Sequence, residues 1–321
     1  MDHLGTPAIS VIIPAYRAAA YIREALDSVL LQGFSNVEII VINDGSPDTE
    51  ALEKALDPYR HRIVYLTQKN AGVSSARNAG IMAARGEWLA FLDADDVWMP
   101  NYLEAQLAFL RANPGVDMVF PNSVFFGDTA VAGRCTMDLA PVEGEITFLK
   151  TLRGECTITY CGLVRREIVL RAGLFDTTLR GSEDFNLWLR ILRLGGRIAY
   201  HRTPLHRYRR HDASLTSNTL WMAERILESL RRSEQTIPMS AEEHQAAEQH
   251  RRKIRFEIAL LRGKGAFKAK EWTQAIEHYS EANELQPRRK FQAILLLLRF
   301  CPSLLYNVFQ SRQVLAAPHR I

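Results

Sequence analysis

The stretch that most constrains this chain is Trp88-Leu89-Ala90-Phe91-Leu92-Asp93-Ala94-Asp95-Asp96. A short apolar run opened by Gly86-Glu87 ends abruptly in three carboxylates. Such a run reads as a strand buried on both faces, as in a parallel sheet covered by helices. The acids then lie at the strand's C-terminal end, the edge at which ligands bind in open α/β sheets. Carboxylates this close repel one another unless a cation sits among them. A divalent magnesium or manganese ion carrying a phosphate suits the position, because such ions prefer hard oxygen ligands. The plainer reading is a cap, with Asp95 or Asp96 starting a helix near Pro100. One cap uses one Asp, not three.

The flanking sequence supplies the rest of such a sheet. Apolar runs at 9–13, 37–42, 63–66 and 116–120 read as strands, and 21–31, 74–84 and 102–111 carry helical spacing. Strands alternating with helices imply parallel βαβ units with right-handed crossovers. Residues 127–145 lose this periodicity, and a long surface loop is expected there, of the kind that is usually functional. A strand at 157–164, helices at 167–172 and 185–194, and short strands at 197–200 and 205–208 follow.

After about Ser214 only helices are expected, including 220–232 and a heavily charged one at 241–264. Gly263, Trp272, Ala275, Tyr279, Ala282 and Pro287 then fall at tetratricopeptide-like spacing. A single unit needs a neighbour to cover its apolar side, so a helical hairpin packed on the front domain is expected rather than a peptide-binding array. The tail places Arg288-Arg289-Lys290 before an apolar stretch at 291–298, which Arg299 and Pro302 interrupt. Two readings stay open: an interfacial helix pair with a polybasic anchor, or a helix buried against the hairpin. The expected organisation is an α/β unit at 1–215 and a helical extension at 216–321, with the hairpin at about 252–287 and the apolar tail at 288–311.

Composition narrows the class. Apolar residues make up 47% of 321, enough for a sizeable core, and a net charge of +4 does not argue for nucleic acid. Residues 1–7 carry no signal-peptide pattern, and no run has the length of an uninterrupted membrane span. Cys135, Cys156, Cys161 and Cys301 form no C-x-x-C pair, which favours reduced cytoplasmic thiols over zinc or disulfides.

Other candidate residues sit at strand ends and helix starts. The first strand ends in Pro14-Ala15-Tyr16, where proline stops the ladder and an aromatic could stack on a base. The second ends in Asn43-Asp44-Gly45-Ser46, either an Asx turn or a carboxylate that reads a pyrimidine N–H. Asn70-Ala71-Gly72-Val73-Ser74-Ser75-Ala76-Arg77-Asn78 opens a helix whose N-terminus favours an anion, with Arg77 suited to phosphate. Gly181-Ser182-Glu183-Asp184 either complements a helix dipole or aims a general base into the cleft. Arg207-Tyr208-Arg209-Arg210-His211-Asp212-Ala213-Ser214 could neutralise a diphosphate, and His211 is either structural or a metal or phosphate contact.

Together these motifs resemble an inverting family 2 glycosyltransferase with the GT-A fold, a Rossmann-like, mostly parallel sheet flanked by helices, over about residues 8–215. The resemblance implies that Tyr16, beside Pro14, stacks on uracil, that Asp44 contacts the nucleotide, and that the Asn70–Asn78 helix sets Arg77 near the diphosphate. It implies that Asp93 holds the ribose or sugar, that Asp95 binds the metal, and that Asp184 of the Glu183-Asp184 pair is the base. Arg207 and His211 match the closing basic loop, and Asp96 is the remaining acid. The implied reaction is metal-dependent transfer, with inversion, from a UDP-linked sugar to a hydroxyl of a glycan or lipid-linked acceptor. Acceptor contacts are expected within 127–159, and the enzyme is expected in the cytoplasm, with peripheral contact at the inner face of the membrane if the tail is interfacial.

Two rivals remain at this level. A sugar-phosphate nucleotidyltransferase would carry a Gly-rich loop after the first strand, whereas Pro14-Ala15-Tyr16-Arg17-Ala18 has no glycine. A non-enzymatic nucleotide-binding scaffold sits poorly with intact acids at every expected place.

Overall fold

The computed structural model describes residues 6–211 and 218–308. Ile9–Ala15 (β1), Val37–Asp44 (β2), Ile63–Gln68 (β3) and Trp88–Phe91 (β4) are the four leading apolar runs, and all are strands. They pair in parallel in the order β3-β2-β1-β4, so their C-terminal tips share one edge. Ile22–Leu30 (α1), Thr49–Leu56 (α2) and Val73–Ala83 (α3) make the crossovers. Alternate residues of β1 serve opposite faces, as a strand's two-residue period requires. Val11 and Ile13 join α1, α2 and Tyr102–Ala112 (α4) in one apolar cluster. Ile12 joins α3 and the later helices in another.

The second half of the sheet is built differently. Val97–Trp98 (β5), Met118–Gly127 (β6), Leu163–Arg165 (β7) and Ile198–Arg210 (β8) complete the order β3-β2-β1-β4-β7-β6-β8-β5. β7 is antiparallel to both β4 and β6, so strand direction reverses next to the acidic tip of β4. β8 runs parallel to β6 with register shifts around Asn122, then pairs antiparallel with β5, setting Arg207 opposite Val97. Because β5 directly follows the acids, this pairing carries the end of β8 to them.

Several expectations are corrected. The strand expected at 116–120 continues to Gly127, and Val124 bridges Cys135. The stretch at 127–145 is therefore not a free surface loop along its length. It holds Thr136–Leu139 (α5) and buries Met137 and Val142. The strand expected at 157–164 is only β7, because Gly162 N–H bonds to Tyr160 C=O and turns the chain before the ladder begins. The two short strands at 197–200 and 205–208 are one, β8. Helix α2 is the helix to which the Asx-turn reading of Asn43-Asp44-Gly45-Ser46 leads; its buried Leu52, Ala55 and Leu56 are too few to mark its bounds in the sequence.

Phe148–Leu152 (α6), Arg166–Arg171 (α7) and Glu183–Arg193 (α8) precede the helical part. That part comprises Thr219–Thr236 (α9), Ala241–Lys268 (α10), Trp272–Leu285 (α11) and Arg289–Phe300 (α12). A reciprocal Ser240–Glu243 cap starts α10. Leu227 and Leu230 of α9 and Ile254 of α10 share an apolar cluster with Leu152 and Leu189 of the α/β unit. The second half of α10, α11 and α12 form a further cluster, in which the Tyr279 ring lies against Gly263. The expected break at 215, together with Asp212, Ala213, Ser214 and the tail residues 309–311, lies outside the described residues. Among the described residues, no helix is long and apolar enough to cross a membrane.

Candidate active site

The tips of β1 and β2 are stitched together. Arg17 N–H donates to Ser46 Oγ (2.6 Å), Ser46 bonds to Asp48, and Asp48 accepts from Ala19 N–H (3.1 Å). Asn43 Oδ1 accepts from Ser46 N–H (2.9 Å), the Asx turn of the plainer reading. Tyr16, next to half-buried Pro14, stands 47% exposed at this edge. Asp44 is buried, and its carboxylate accepts from Gln68 Nε2 (2.7 Å), Ala71 N–H (2.9 Å) and Gly72 N–H (2.9 Å). It therefore faces the 70–72 loop and holds it in place, rather than pointing free toward a base. Gly45, at φ +60°, lets the backbone of exposed Asn70 approach; a Cβ there would lie 2.5 Å from Asn70 N.

Arg77 connects the motifs. It projects from α3, 3% exposed, and donates through Nη2 to Asp93 Oδ1 (2.9 Å) and through Nη1 to Glu183 Oε1 (2.6 Å). Its guanidinium lies over the rings of Tyr160 (4.8 Å) and Phe175 (5.5 Å). Burial alone would make it easier to deprotonate, but Asp93 and Glu183 outweigh that and hold its pKa above the ordinary value. The expectation of Arg77 turned to a diphosphate is thus corrected: it ties the D-x-D turn to the helix that starts at Glu183.

The three acids of the turn have different surroundings. Asp96 is fully buried and accepts from Tyr160 OH (2.7 Å) and Arg209 N–H (2.7 Å), with His206 Nε2 at 3.1 Å. It caps no helix: α4 starts after Asn101, and no side chain caps it. Burial works against a charge on His206, but Cys161 and Asp96 outweigh it and hold the imidazole well above its usual pKa. Asp95 keeps about a third of its side chain exposed, with His211 Nε2 at 3.3 Å from Oδ2. Burial, then Asp96 and Asp93, push its carboxyl up to about 6.

The E-D pair opens α8. Ser182 precedes it in the left-handed region at φ +56°, a strained state for a non-glycine residue. Its carbonyl accepts from Ser229 Oγ of α9 (2.7 Å), and the Trp221 and Arg225 side chains leave no room for a Cβ at Gly181. Glu183 is buried on Arg77, while half-buried Asp184 accepts from Phe185 N–H (2.8 Å). Burial and the Glu183 charge, partly offset by Arg77, push the Asp184 carboxyl up to about 7. A carboxyl so tuned can take a proton near neutral pH.

Asp95 with His211 is a fitting but incomplete metal site. Among the described residues no three His, Cys, Asp or Glu side chains converge as a metal cage. Magnesium and manganese, however, are commonly held by one or two side chains together with substrate phosphates. Burial first, and then the neighbouring Asp96 and Asp93, raise the Asp95 carboxyl, and a cation there would relieve the second of these.

Arg207 is corrected: it stacks on Phe126 (4.2 Å). Arg209 makes the contacts instead, donating from Nε to the Asp95 carbonyl (2.6 Å) and pairing with Glu24. Sequence reasoning passed over Arg209, Tyr160 and His206. Only Arg209 had a signal, its place in the basic run.

Residues 10–171 match the family described as Glycosyl transferase family 2. The chain is 32% identical over 215 residues to the Escherichia coli UDP-Glc:alpha-D-GlcNAc-diphosphoundecaprenol beta-1,3-glucosyltransferase WfgD, covering 65% of this chain and 80% of that protein. Among solved structures, Staphylococcus aureus TarS 1-349 in complex with UDP-GlcNAc matches with a TM-score of 0.63 at 19% identity, over 91% of this chain and 87% of TarS. The mannosyltransferase PcManGT of Pyrobaculum calidifontis, in complex with GDP-Man and Mn2+, matches with a TM-score of 0.63 at 18% identity, over 97% and 85%. These two likenesses concern the fold, and they run on into the C-terminal helices. With the ordered strand-tip acids, the E-D pair on α8 and a family match across half its length, the chain belongs to glycosyltransferase family 2.

Proposed function

We propose that this enzyme moves a sugar from a UDP-linked donor to a hydroxyl of a glycan or lipid-linked acceptor, with inversion at the anomeric carbon. The observation that carries this reading is the Arg77 bridge, which joins Asp93 of one motif to Glu183 of another, Arg77 itself lying 106 residues before Glu183 in sequence. The bridge ties the turn that carries Asp93 to the helix start that carries Asp184, which supports reading the two motifs as parts of one site. Tyr16 offers its ring to the uracil, and Asp93 takes the ribose or sugar. Asp95 and His211 hold the diphosphate end together with a manganese or magnesium ion, which when bound would offset charge on the departing nucleotide. Asp184 accepts the proton of the acceptor hydroxyl as that oxygen attacks, so direct displacement needs no covalent intermediate. WfgD uses UDP-Glc and an acceptor on a diphosphoundecaprenol lipid, and PcManGT holds Mn2+, which supports the donor, acceptor class and metal chosen. A lipid-linked acceptor would put a cytoplasmic enzyme to work at the inner face of the membrane. The test is a panel of nucleotide sugars with each metal, scored by released nucleotide. UDP release that needs metal is expected; release only from other donors, or equal release in chelator, would sink the respective part.

A further inference from the structure

Helix α12 is apolar on two sides, and among the described residues only one of them is covered. At about 3.6 residues per turn, Phe291 and Leu298 fall on one side of the helix. Both are buried against Phe267, Tyr279 and their neighbours. Ala293, Leu296, Leu297 and Phe300 fall on the other side, and all four are exposed, Leu296 at 61% and Phe300 at 77%. The helical residues that follow continue this with exposed Leu304 and Val308. A soluble helix ordinarily turns charge outward, so a contiguous apolar outer face marks an interaction surface.

The charges beside it select the partner. From 286 to 308 the sequence contains no Asp or Glu, and its basic residues Arg288, Arg289, Lys290 and Arg299 are all exposed. A second copy of this surface meeting it across a two-fold axis would bring like charges together. An anionic lipid surface meets both features, because an apolar face enters the acyl boundary while basic side chains reach the headgroups.

We propose that the outer face of α12 and the helical residues after it is a docking surface for anionic lipid bilayers, which seats the enzyme in the interface plane. This rests on the reading above only for its purpose, which is to bring the active site to acceptors carried on lipid.

The experiment is flotation of the full chain, without donor, on vesicles of phosphatidylglycerol or of phosphatidylcholine alone. Binding to the anionic vesicles is expected to exceed binding to the neutral ones by at least ~tenfold, given about one favourable contact per basic side chain, and to weaken with added salt. Leu296→Asp with Phe300→Asp should abolish flotation. Arg288→Gln, Arg289→Gln and Lys290→Gln together remove only exposed charges, although Arg288 and Lys290 also lie over the Phe256 and Phe291 rings, and with an unchanged circular dichroism spectrum they should erase the preference for anionic lipid. Undiminished flotation of either variant overturns the proposal. So does a native dimer, seen by light scattering, that the Asp variant splits into monomers. Because no donor is present, a chain that floats but releases no nucleotide would count against the glycosyl transfer and leave this surface standing.

Discussion

At the tip of β4, Asp93, Asp95 and Asp96 lie on a turn that β8 closes from one side. At the start of α8, Glu183 and Asp184 lie on a helix end that α9 closes from the other. In each cluster one acid is buried on a cation, Asp96 beside His206 and Glu183 on Arg77. In each, another acid keeps a raised carboxyl pKa, to about 6 at Asp95 and about 7 at Asp184. The difference lies in what remains near the raised acid. Asp95 has an imidazole beside it and open space, which suits a cation. Asp184 has an N–H of its own helix, the repulsion of Glu183 and only a partial offset from Arg77, which suits a proton. In each cluster the acid whose carboxyl is raised is the one proposed for chemistry.

Asp184→Asn attacks the proton side most directly. It should cut kcat by at least ~10²-fold, as loss of a general base does, while donor affinity by calorimetry stays unchanged. Near-normal turnover would remove Asp184 from the role. Asp95→Ala attacks the cation side. It should raise the metal concentration for half-maximal rate by more than ~10-fold, since loss of even an outer-shell partner commonly costs that much. An unmoved metal titration would break the contrast between the clusters.

Glu183→Gln sharpens it. With the native base raised to about 7, kcat should climb as pH rises through that value, because the base works when deprotonated. Removing the neighbouring charge should move this limb to lower pH, and leaving Arg77 with one partner should cost ~1–3 kcal/mol in denaturant unfolding. A limb that stays in place would show that burial alone sets it. Tyr160→Phe removes one donor from Asp96 and should cost ~1 kcal/mol, with the pH limb unmoved.

The smallest effect runs opposite to activity. A carboxyl raised from 3.8 to about 7 by folding gives the native state stability at low pH that is lost as pH rises to about 7. Asp184→Asn should therefore raise Tm at pH 8 by ~2–4 °C, with the gain shrinking toward pH 4. A Tm that falls at pH 8 would mean that the carboxylate is better solvated than its burial indicates.

The donor half of the molecule was legible because its information is local. Four apolar runs, each ending in a polar or acidic signal, place Tyr16, Asp44 and Asp93 along one edge, and parallel pairing follows from the helices between them. Partners were not legible. Tyr160 reaches Asp96 across 64 residues and Arg209 reaches Asp95 across 114, and no spacing rule encodes such contacts. Arg77 was placed on the correct helix but given the wrong neighbour, because a guanidinium suits phosphate and carboxylate equally. Within the 127–145 stretch the short helix α5 was not legible, because one buried Met137 and one buried Val142 make no period.

The seat that Ser229 of α9 gives to the Ser182 carbonyl bears on protein engineering. A graft or library built on the matched family region, which stops at residue 171, would leave out α8 and the proposed base Asp184 altogether. One cut at 215 would keep Asp184 but remove the hydroxyl that steadies the turn before it, together with the Ser233 contact to Asn186 (2.9 Å). The smallest unit that keeps the turn and the apolar cluster beneath it therefore runs through α9 and into α10, and chimeras are best joined beyond Ile258.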